Sequence, residues 1–281
     1  MATMTAMTRR TFLHAGAMAA GAASAGAAAP NERPHFPIID AHCHAGRGFR
    51  FGDPEGAPWE TFNDPADVLR LAAEAGIART VIFPINHQTY AEANRGIAGY
   101  VAAHPDRLIG FAKHDAQHEA GRITELLRHE VGELGLRGLK CHDQPSDEMC
   151  EAAMALGIPI LMHPWTVAEG VAMVEKYPAQ TFILAHLGSF SSRDYREHER
   201  AIEATAALPN LYLETSSVVF QPYLEKAAEL LPSEKLIFGS DGPLIDPRVE
   251  LMKIRLLRLG AQAEQRVLGG NIGRLLGSSV D

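Results

Sequence analysis

The chain has 281 residues, 46% of them apolar, which is ample for one sizeable core. Its 26 basic and 34 acidic residues leave a formal charge of −8, and no Lys/Arg cluster stands out, so no nucleic-acid partner is expected. No apolar run reaches the length that spans a bilayer, which argues against stable membrane insertion, and three cysteines (Cys43, Cys141, Cys150) are too few and too odd in number for a disulfide framework.

In chain order, Thr8-Arg9-Arg10-Thr11-Phe12-Leu13 comes first and resembles a twin-arginine export signal, followed by an Ala/Gly-rich stretch from Ala15 to Ala29. Residues 1–29 are therefore expected to be a signal read by the twin-arginine export machinery. That implies a periplasmic or extracellular protein, exported already folded, whose thiols need not pair. Residues 30–281 are expected to form one domain.

The first strand is expected over Pro37–His44, followed by a Gly/Pro-rich loop containing Trp59. Asp64-Pro65 reads as N-cap and first residue of a helix that Gly76 stops. Strand then alternates with helix: Thr80–Ile85 and Tyr90–Ala103, Leu108–Lys113 and Glu119–Leu134, Leu136–His142 and Asp147–Leu156. The pattern continues with Pro159–His163 and Val167–Lys176, Thr181–His186 and Tyr195–Ala207, Leu211–Thr215 and Pro222–Leu231. Lys235–Ser240 and Arg248–Leu259 form the last unit, and a helix over Glu264–Leu276 closes the chain. Eight β-then-α units, with no glycine-rich nucleotide loop after an early strand, predict an α/β fold of the (β/α)8 TIM-type barrel, a single domain with an extra C-terminal helix.

The strands end in polar residues. Side chains alternate with period two along a strand, so His42 and His44 are expected on one face with Asp40 one step below. The fourth strand carries Lys140 and His142, and the next four end at His163, His186, Glu214 and Asp241. In a (β/α)8 barrel these carboxyl ends meet on one face. Neutral imidazoles with a carboxylate suit a divalent cation such as Zn²⁺, Mn²⁺ or Fe²⁺. Cys43 and Cys141 sit one step out of phase and read as small buried hydrophobes.

Asp40-Ala41-His42-Cys43-His44, Gly138-Leu139-Lys140, His163-Pro164, Ala185-His186-Leu187-Gly188, Phe238-Gly239-Ser240-Asp241 and Gly270-Asn271-Ile272-Gly273-Arg274-Leu275-Leu276-Gly277 together resemble the amidohydrolase superfamily. The nearest branch by these motifs is the amidohydrolase-related one, with aminocarboxymuconate-semialdehyde decarboxylase, γ-resorcylate decarboxylase and lactone hydrolases. The resemblance implies a distorted barrel, metal ligands at His42, His44, His163 and Asp241, a catalytic role for His186, and usually zinc, with one ion per chain favoured over two bridged by a carboxylated Lys140. It leaves the reaction open.

The function expected from these residues is hydrolysis of a small carboxylate-bearing ester, lactone or amide, with Asp241 as proton acceptor and His186 orienting water or stabilising an oxyanion. The alternative is non-oxidative decarboxylation of an unsaturated or aromatic acid. A non-catalytic periplasmic binding protein is a remote third. Lys140, Arg47, Arg193, Trp165 and Glu214 are candidates for contact with a small carboxylate substrate, with Glu214 also able to pair with Lys140. His87, His104, His118, His129 and His198 read as surface residues. The sequence leaves assembly into a homo-oligomer open.

Overall fold

Short apolar runs and capped helices alternate along the chain, and local chemistry marks most boundaries. The computed structural model describes residues 36–48, 62–87 and 89–277. Trp59 and the export-signal residues, Arg9 and Arg10 included, lie outside the described residues.

The described elements begin with β1 (Ile39–Arg47), a two-residue β2 (Phe62–Asn63), α1 (Pro65–Ala75), β3 (Arg79–Pro84) and α2 (Ala91–Ala103). They continue through β4 (Leu108–Gly110), β5 (Ala112–Lys113), α3 (Ile123–Gly132), β6 (Leu139–Cys141) and α4 (Asp147–Leu156). Next come β7 (Ile160–Met162), α5 (Val167–Lys176), β8 (Phe182–Leu184), α6 (Tyr195–Ala207), β9 (Leu211–Glu214) and α7 (Gln221–Leu230). The chain ends with β10 (Leu236–Ile237), α8 (Pro247–Leu256), α9 (Ala261–Gln265), a π-helical turn (Arg266–Gly270) and α10 (Asn271–Leu275).

The caps explain the starts. Asp64 accepts from Ala66 N, Ser146 from Met149 N, and Thr166 with Glu169 forms a reciprocal capping box on α5. Gly76 and Gly157 stop α1 and α4 in the left-handed conformation (φ 74° and 66°), which a residue without Cβ adopts freely.

Two sheets carry the strands, in the orders β2-β1-β3-β4 and β10-β9-β8-β7-β6-β5. All pairings are parallel except β1 with β2. Backbone hydrogen bonds bridge both seams. At one, Phe111 N donates to Ile82 O and Ala112 N to Gly138 O; at the other, Ala41 N donates to Phe238 O and His44 N to Gly242 O. The expected third strand, Leu108–Lys113, is thus broken at Phe111, and the chain passes there from one sheet to the other. The last strand is shorter than expected, and its continuation reaches β1 through single bonds. The architecture is the (β/α)8 barrel, with β2 as a short antiparallel addition.

Burial divides along each strand. Val81, Phe83, Ile109, Phe111, Leu161, Ile183 and Ile237 fill the barrel interior, closed below by Ile272 and Leu276. Their neighbours Ile82, Ile160, Met162, Phe182 and Leu184 pack outward against the helices. All three cysteines are buried and unpaired.

The expected placement of Asp40 beside the histidines needs correction. Asp40 pairs with Thr80 but Cys43 with Ile82, so β1 carries one extra residue between them. The bulge resets the alternation. Asp40 faces outward with Cys43 and accepts from Ser240 N (2.8 Å), Ser240 Oγ (2.5 Å) and His42 N (3.1 Å). It ties the first strand to the last, while His42 and His44 turn inward.

His114 lies outside the barrel between two carboxylates. Nδ1 is 2.8 Å from Glu119 Oε2 and Nε2 is 2.8 Å from Glu130 Oε2. Asn94 links the cluster to the barrel, donating to Glu130 Oε1 (2.7 Å) and accepting from Lys113 N (3.0 Å). Burial works against the imidazolium, but the two carboxylates outweigh it and push its pKa up to about 9. Its stabilising contribution is therefore complete below about pH 6.5, the ordinary histidine value, and is lost as pH rises through about 9. His114→Gln should cost about 3–5 kcal/mol in denaturant unfolding at pH 6, because it leaves buried carboxylates unpaired. The gap to wild type should narrow at pH 10; an equal gap at both pH values would show that the imidazolium is not the stabilising form.

Candidate metal centre

The carboxyl ends of the strands bring one set of side chains together. β1 supplies His42 and His44, His142 follows β6, His163 follows β7, His186 lies in the turn after β8, Glu214 ends β9, and Asp241 follows β10. Five imidazoles form a closed ring. Successive centroids lie 5.6 Å (His42–His44), 5.6 Å (His44–His142), 5.7 Å (His142–His163), 4.6 Å (His163–His186) and 4.8 Å (His186–His42) apart.

Three consecutive strands reach this ring through left-handed residues: His186 (φ 58°), Ser217 (φ 58°) and Asp241 (φ 56°). Each costs on the order of 1 kcal/mol or more in a residue with a Cβ. Hydrogen bonds hold them there. His186 N donates to Glu214 Oε2 (3.2 Å), Ser217 Oγ to Asp241 Oδ2 (2.9 Å), and Asp241 N to His42 O (2.8 Å).

Glu214 sets the proton pattern of the centre. It is fully buried, and its oxygens receive Ser216 N (2.5 Å), Ser216 Oγ (2.9 Å) and His186 N, with His42 Nδ1 2.9 Å away. A carboxylate so placed draws the His42 proton to Nδ1. Ser216 spends its single hydroxyl hydrogen on Glu214, so its oxygen accepts from His186 Nδ1 at 2.9 Å. Both imidazoles are then left with bare Nε2 lone pairs. Burial drives both pKa values down, that of His42 well below the ordinary value and that of His186 to about 3, so both rings are neutral. Gly239 makes the arrangement possible, because a Cβ there would collide with the Glu214 carboxylate and the His42 side chain.

The same pattern tests the fit of a cation. His42 Nε2 is buried, has no hydrogen-bond partner, and lies 3.4 Å from Asp241 Oδ1. A bare lone pair thus faces a carboxylate oxygen. His44 Nε2 approaches the same oxygen at 3.2 Å, and Asp241 is held well below the ordinary carboxylate range by His44 and the neighbouring imidazoles, against its burial. Among the described residues, His42, His186 and Asp241 bring their ligand atoms within 4.8 Å of one another. A divalent cation fits this donor set, with Glu214 fixing the far nitrogen of one imidazole ligand. His186, expected to assist chemistry, joins the tightest group, and His163 packs edge-on against it.

Beside the centre opens a cavity of about 190 Å³. It is lined by the polar His44, Asn63, Asn86, His142, His163, His186 and Asp241 and by the apolar Ile85, Phe190 and Leu244. The substrate-contact candidates fall elsewhere. Arg47 is exposed and lies over the Phe62 ring, 5.2 Å from its centroid. Arg193 lies on an exposed turn, and Trp165 is 80% exposed. Glu214 does not pair with Lys140; it holds His42, Ser216 and His186. Lys140 is wholly buried, its Nζ has no hydrogen-bond partner and sits 5.3 Å from the Phe83 ring centroid. His198 is not a surface residue: it is buried, with Nδ1 2.8 Å from Leu187 O and Nε2 2.8 Å from Ser192 Oγ.

Sequence reasoning passed over Lys113, Asn86, Ser216 and Phe190. Lys113 had a signal, being in phase with Ile109 and Phe111 at the end of its strand. The others sit in loops, where no periodicity points to a cavity.

The amidohydrolase family model matches residues 39–278. The chain belongs to the amidohydrolase family. No curated protein matches this amidohydrolase by sequence. Among solved structures, 5-carboxyvanillate decarboxylase from Sphingomonas paucimobilis is 16% identical, with a TM-score of 0.70 over 87% of this chain and 100% of its own. Dihydroxybenzoic acid decarboxylase from Polaromonas sp. JS666, solved with manganese and 2-nitroresorcinol, is 17% identical, with a TM-score of 0.67 over 86% of this chain and 97% of its own. 2,6-Dihydroxybenzoate decarboxylase from Rhizobium is 15% identical, with a TM-score of 0.68 over 86% and 99%. These likenesses establish the shared barrel fold.

Replacing Glu214 by Gln should weaken divalent-metal affinity by about 10- to 100-fold, because the amide no longer draws the His42 proton to Nδ1. Metal titration of the apoprotein, read by calorimetry, measures this. An unchanged affinity would remove Glu214 from the control of the centre.

Proposed function

We propose that this amidohydrolase is a metal-dependent, non-oxidative decarboxylase of a small aromatic or unsaturated carboxylic acid. The observation that carries the reading is the likeness of the barrel to decarboxylases of hydroxylated aromatic acids over 86–87% of the chain. Hydrolysis of a carboxylate-bearing ester, lactone or amide, the reading from sequence, has support at the level of the family only. The cavity suits a small acid with an apolar body, since Ile85, Phe190 and Leu244 line it together with the imidazoles and Asp241.

His42, His44, His163, His186 and Asp241 are the residues that would hold one divalent cation per chain. Manganese, present in the Polaromonas enzyme, and zinc both accept this nitrogen and oxygen set. The bound cation would supply a Lewis acid that orients the substrate oxygens and withdraws electron density. The protein does the rest. Phe190, Ile85 and Leu244 exclude water from the ring face. Loss of CO₂ leaves the bonding electron pair on carbon, which must then take a proton. Asp241, on the cavity wall and ionised at rest, is assigned as the relay that takes this proton from water or a substrate hydroxyl and passes it to the carbon. Burial keeps His186 neutral at a pKa of about 3, so that this ring does not compete for that proton, and Ser216 holds its hydrogen at Nδ1.

A panel of hydroxylated benzoates and unsaturated acids, assayed for CO₂ release in D₂O with manganese or zinc, tests the reading. One class should release CO₂ and take deuterium at the vacated carbon. Turnover of esters, lactones or amides with no CO₂ from any acid would return the assignment to hydrolysis. With saturating metal, Asp241→Asn should lower CO₂ release by more than about 100-fold; near-normal rates would leave the proton with another group.

We also propose that residues 1–29 direct export through the twin-arginine machinery. Replacing Arg9 and Arg10 together by Lys keeps the charge and removes the paired guanidinium groups. The variant should remain active in the cytoplasm and be absent from the periplasm on fractionation; unimpaired export would refute the signal.

A further inference from the structure

The two oxygens of Asp241 have different partners. Oδ1 lies 3.2 Å from His44 Nε2 and 3.4 Å from His42 Nε2, on the side of the metal centre. Oδ2 accepts a hydrogen bond from Ser217 Oγ at 2.9 Å. Ser217 is buried, lies just past the end of β9 and is left-handed (φ 58°). Its one hydroxyl hydrogen goes to Asp241. A left-handed residue with a Cβ persists only where its surroundings hold it, and here much of the hold comes from outside the barrel, on α8.

Glu250 and Lys253, neighbours on one face of α8, form an ion pair with Oε2 and Nζ 2.5 Å apart; the carboxylate side chain is 3% exposed and the lysine side chain 18%. Both reach the turn after β9. The Ser217 N–H faces the Glu250 carboxylate, and Lys253 Nζ donates to Val218 O at 2.8 Å. The pair therefore grips two successive residues, one at its N–H and the next at its carbonyl. Gln221 Nε2 closes the contact by donating to Lys253 O at 3.0 Å. The loop after β8 adds a further tie: Val219 N donates to Ser192 Oγ (3.0 Å), which lies 2.8 Å from His198 Nε2.

A carboxylate at position 250 needs a reason. Its neighbours Leu251 and Ile254 are buried and apolar, and an apolar side chain at 250 would pack α8 without taking a charge out of water. Burial pushes the Glu250 pKa up to about 7, against the pull of Lys253 and of the Ser217 N–H. Helix packing alone does not call for this ion pair. Fixing the backbone of Ser217 does.

We propose that Glu250 and Lys253 are positioning residues for Asp241: through the backbone of Ser217 and Val218 they keep the Ser217 hydroxyl on Oδ2, so that Oδ1 is the oxygen left for the metal centre. The proposal rests on Asp241 as a metal ligand and is independent of the reaction catalysed.

Cobalt(II) titration of the apoprotein tests it without turnover. Calorimetry reads the affinity, and the visible absorption of bound cobalt reads the ligand arrangement. Ser217→Ala should weaken binding by about 10- to 100-fold and alter the cobalt spectrum. Glu250→Leu fills the space but offers nothing to the Ser217 N–H, so it should weaken binding by about tenfold and alter the spectrum in the same way. Glu250→Gln, whose amide oxygen still accepts, should recover most of the affinity. The double variant Ser217→Ala/Glu250→Leu should lose no more than Ser217→Ala alone, because both changes act on one hydrogen bond. Should Glu250→Leu fail to fold, Lys253→Met takes its place in the same cycle, since that side chain is partly exposed. Wild-type affinity and spectrum in Glu250→Leu or Lys253→Met, or additive losses in the double variant, would overturn the proposal and leave the metal centre standing. A wild type that binds no cobalt would overturn both. Coupled loss of affinity with no CO₂ from any acid would uphold the proposal and reject the decarboxylase reading.

Discussion

A single buried carboxylate organises the centre. Glu214 has no access to water, and it draws its hydrogen bonds from two backbone amides, a hydroxyl and an imidazole. Each of those bonds decides where a proton sits in the next group along. His42 is fixed directly and His186 through Ser216. Two imidazoles on different strands therefore present the same bare nitrogen toward Asp241, and the donor set is assembled before any ion arrives. Preorganisation of this kind leaves little to rearrange on binding.

The scaffold supports this by dividing its work between two faces of the same strands. Apolar side chains fill the lower barrel and pack the helices outside, while the upper ends carry polar groups. The bulge in β1 is what makes the division work at the first strand. Without the extra residue, Asp40 would stay in phase with His42 and add a buried carboxylate to the centre. With it, Asp40 faces outward and clamps Ser240, one residue before Asp241. A second charged cluster, around His114, braces the seam where the chain passes between sheets. Its Asn94 also holds the backbone of Lys113, so outer packing and inner cavity share a residue.

Much of this was legible in the sequence, and the limits have physical reasons. Helix starts were readable because caps are local: Asp64-Pro65, Ser146 and Thr166 sit beside the amides they satisfy. The eight-unit alternation and the polar strand ends were readable because periodicity reports which face is buried. Phase was not readable across a bulge, since pattern alone gives no sign that one residue is skipped, and Asp40 was placed on the wrong side. Partnership was not readable either. Glu214 and Lys140 looked like an ion pair on strand position, yet the nearer claim on Glu214 came from His42, far off in sequence. Arg47, Arg193 and Trp165 sat near strand ends in the sequence, but loop geometry carries them to the surface. Loop residues such as Asn86 and Phe190 gave no signal because nothing periodic constrains them.

The left-handed backbone at His186, Ser217 and Asp241 has a consequence for how such a centre can change over time. At those points the main chain itself screens the residue types. Isoleucine, valine and threonine are nearly barred by their branched Cβ, and aspartate, asparagine, histidine, serine and glycine are the residues most readily admitted. Variation at the centre is thus confined to a short alphabet that happens to be rich in metal ligands and proton carriers. A barrel with three such turns in succession can exchange one chemistry for another by single substitutions, while drift toward an inert hydrophobic mouth is obstructed by the backbone.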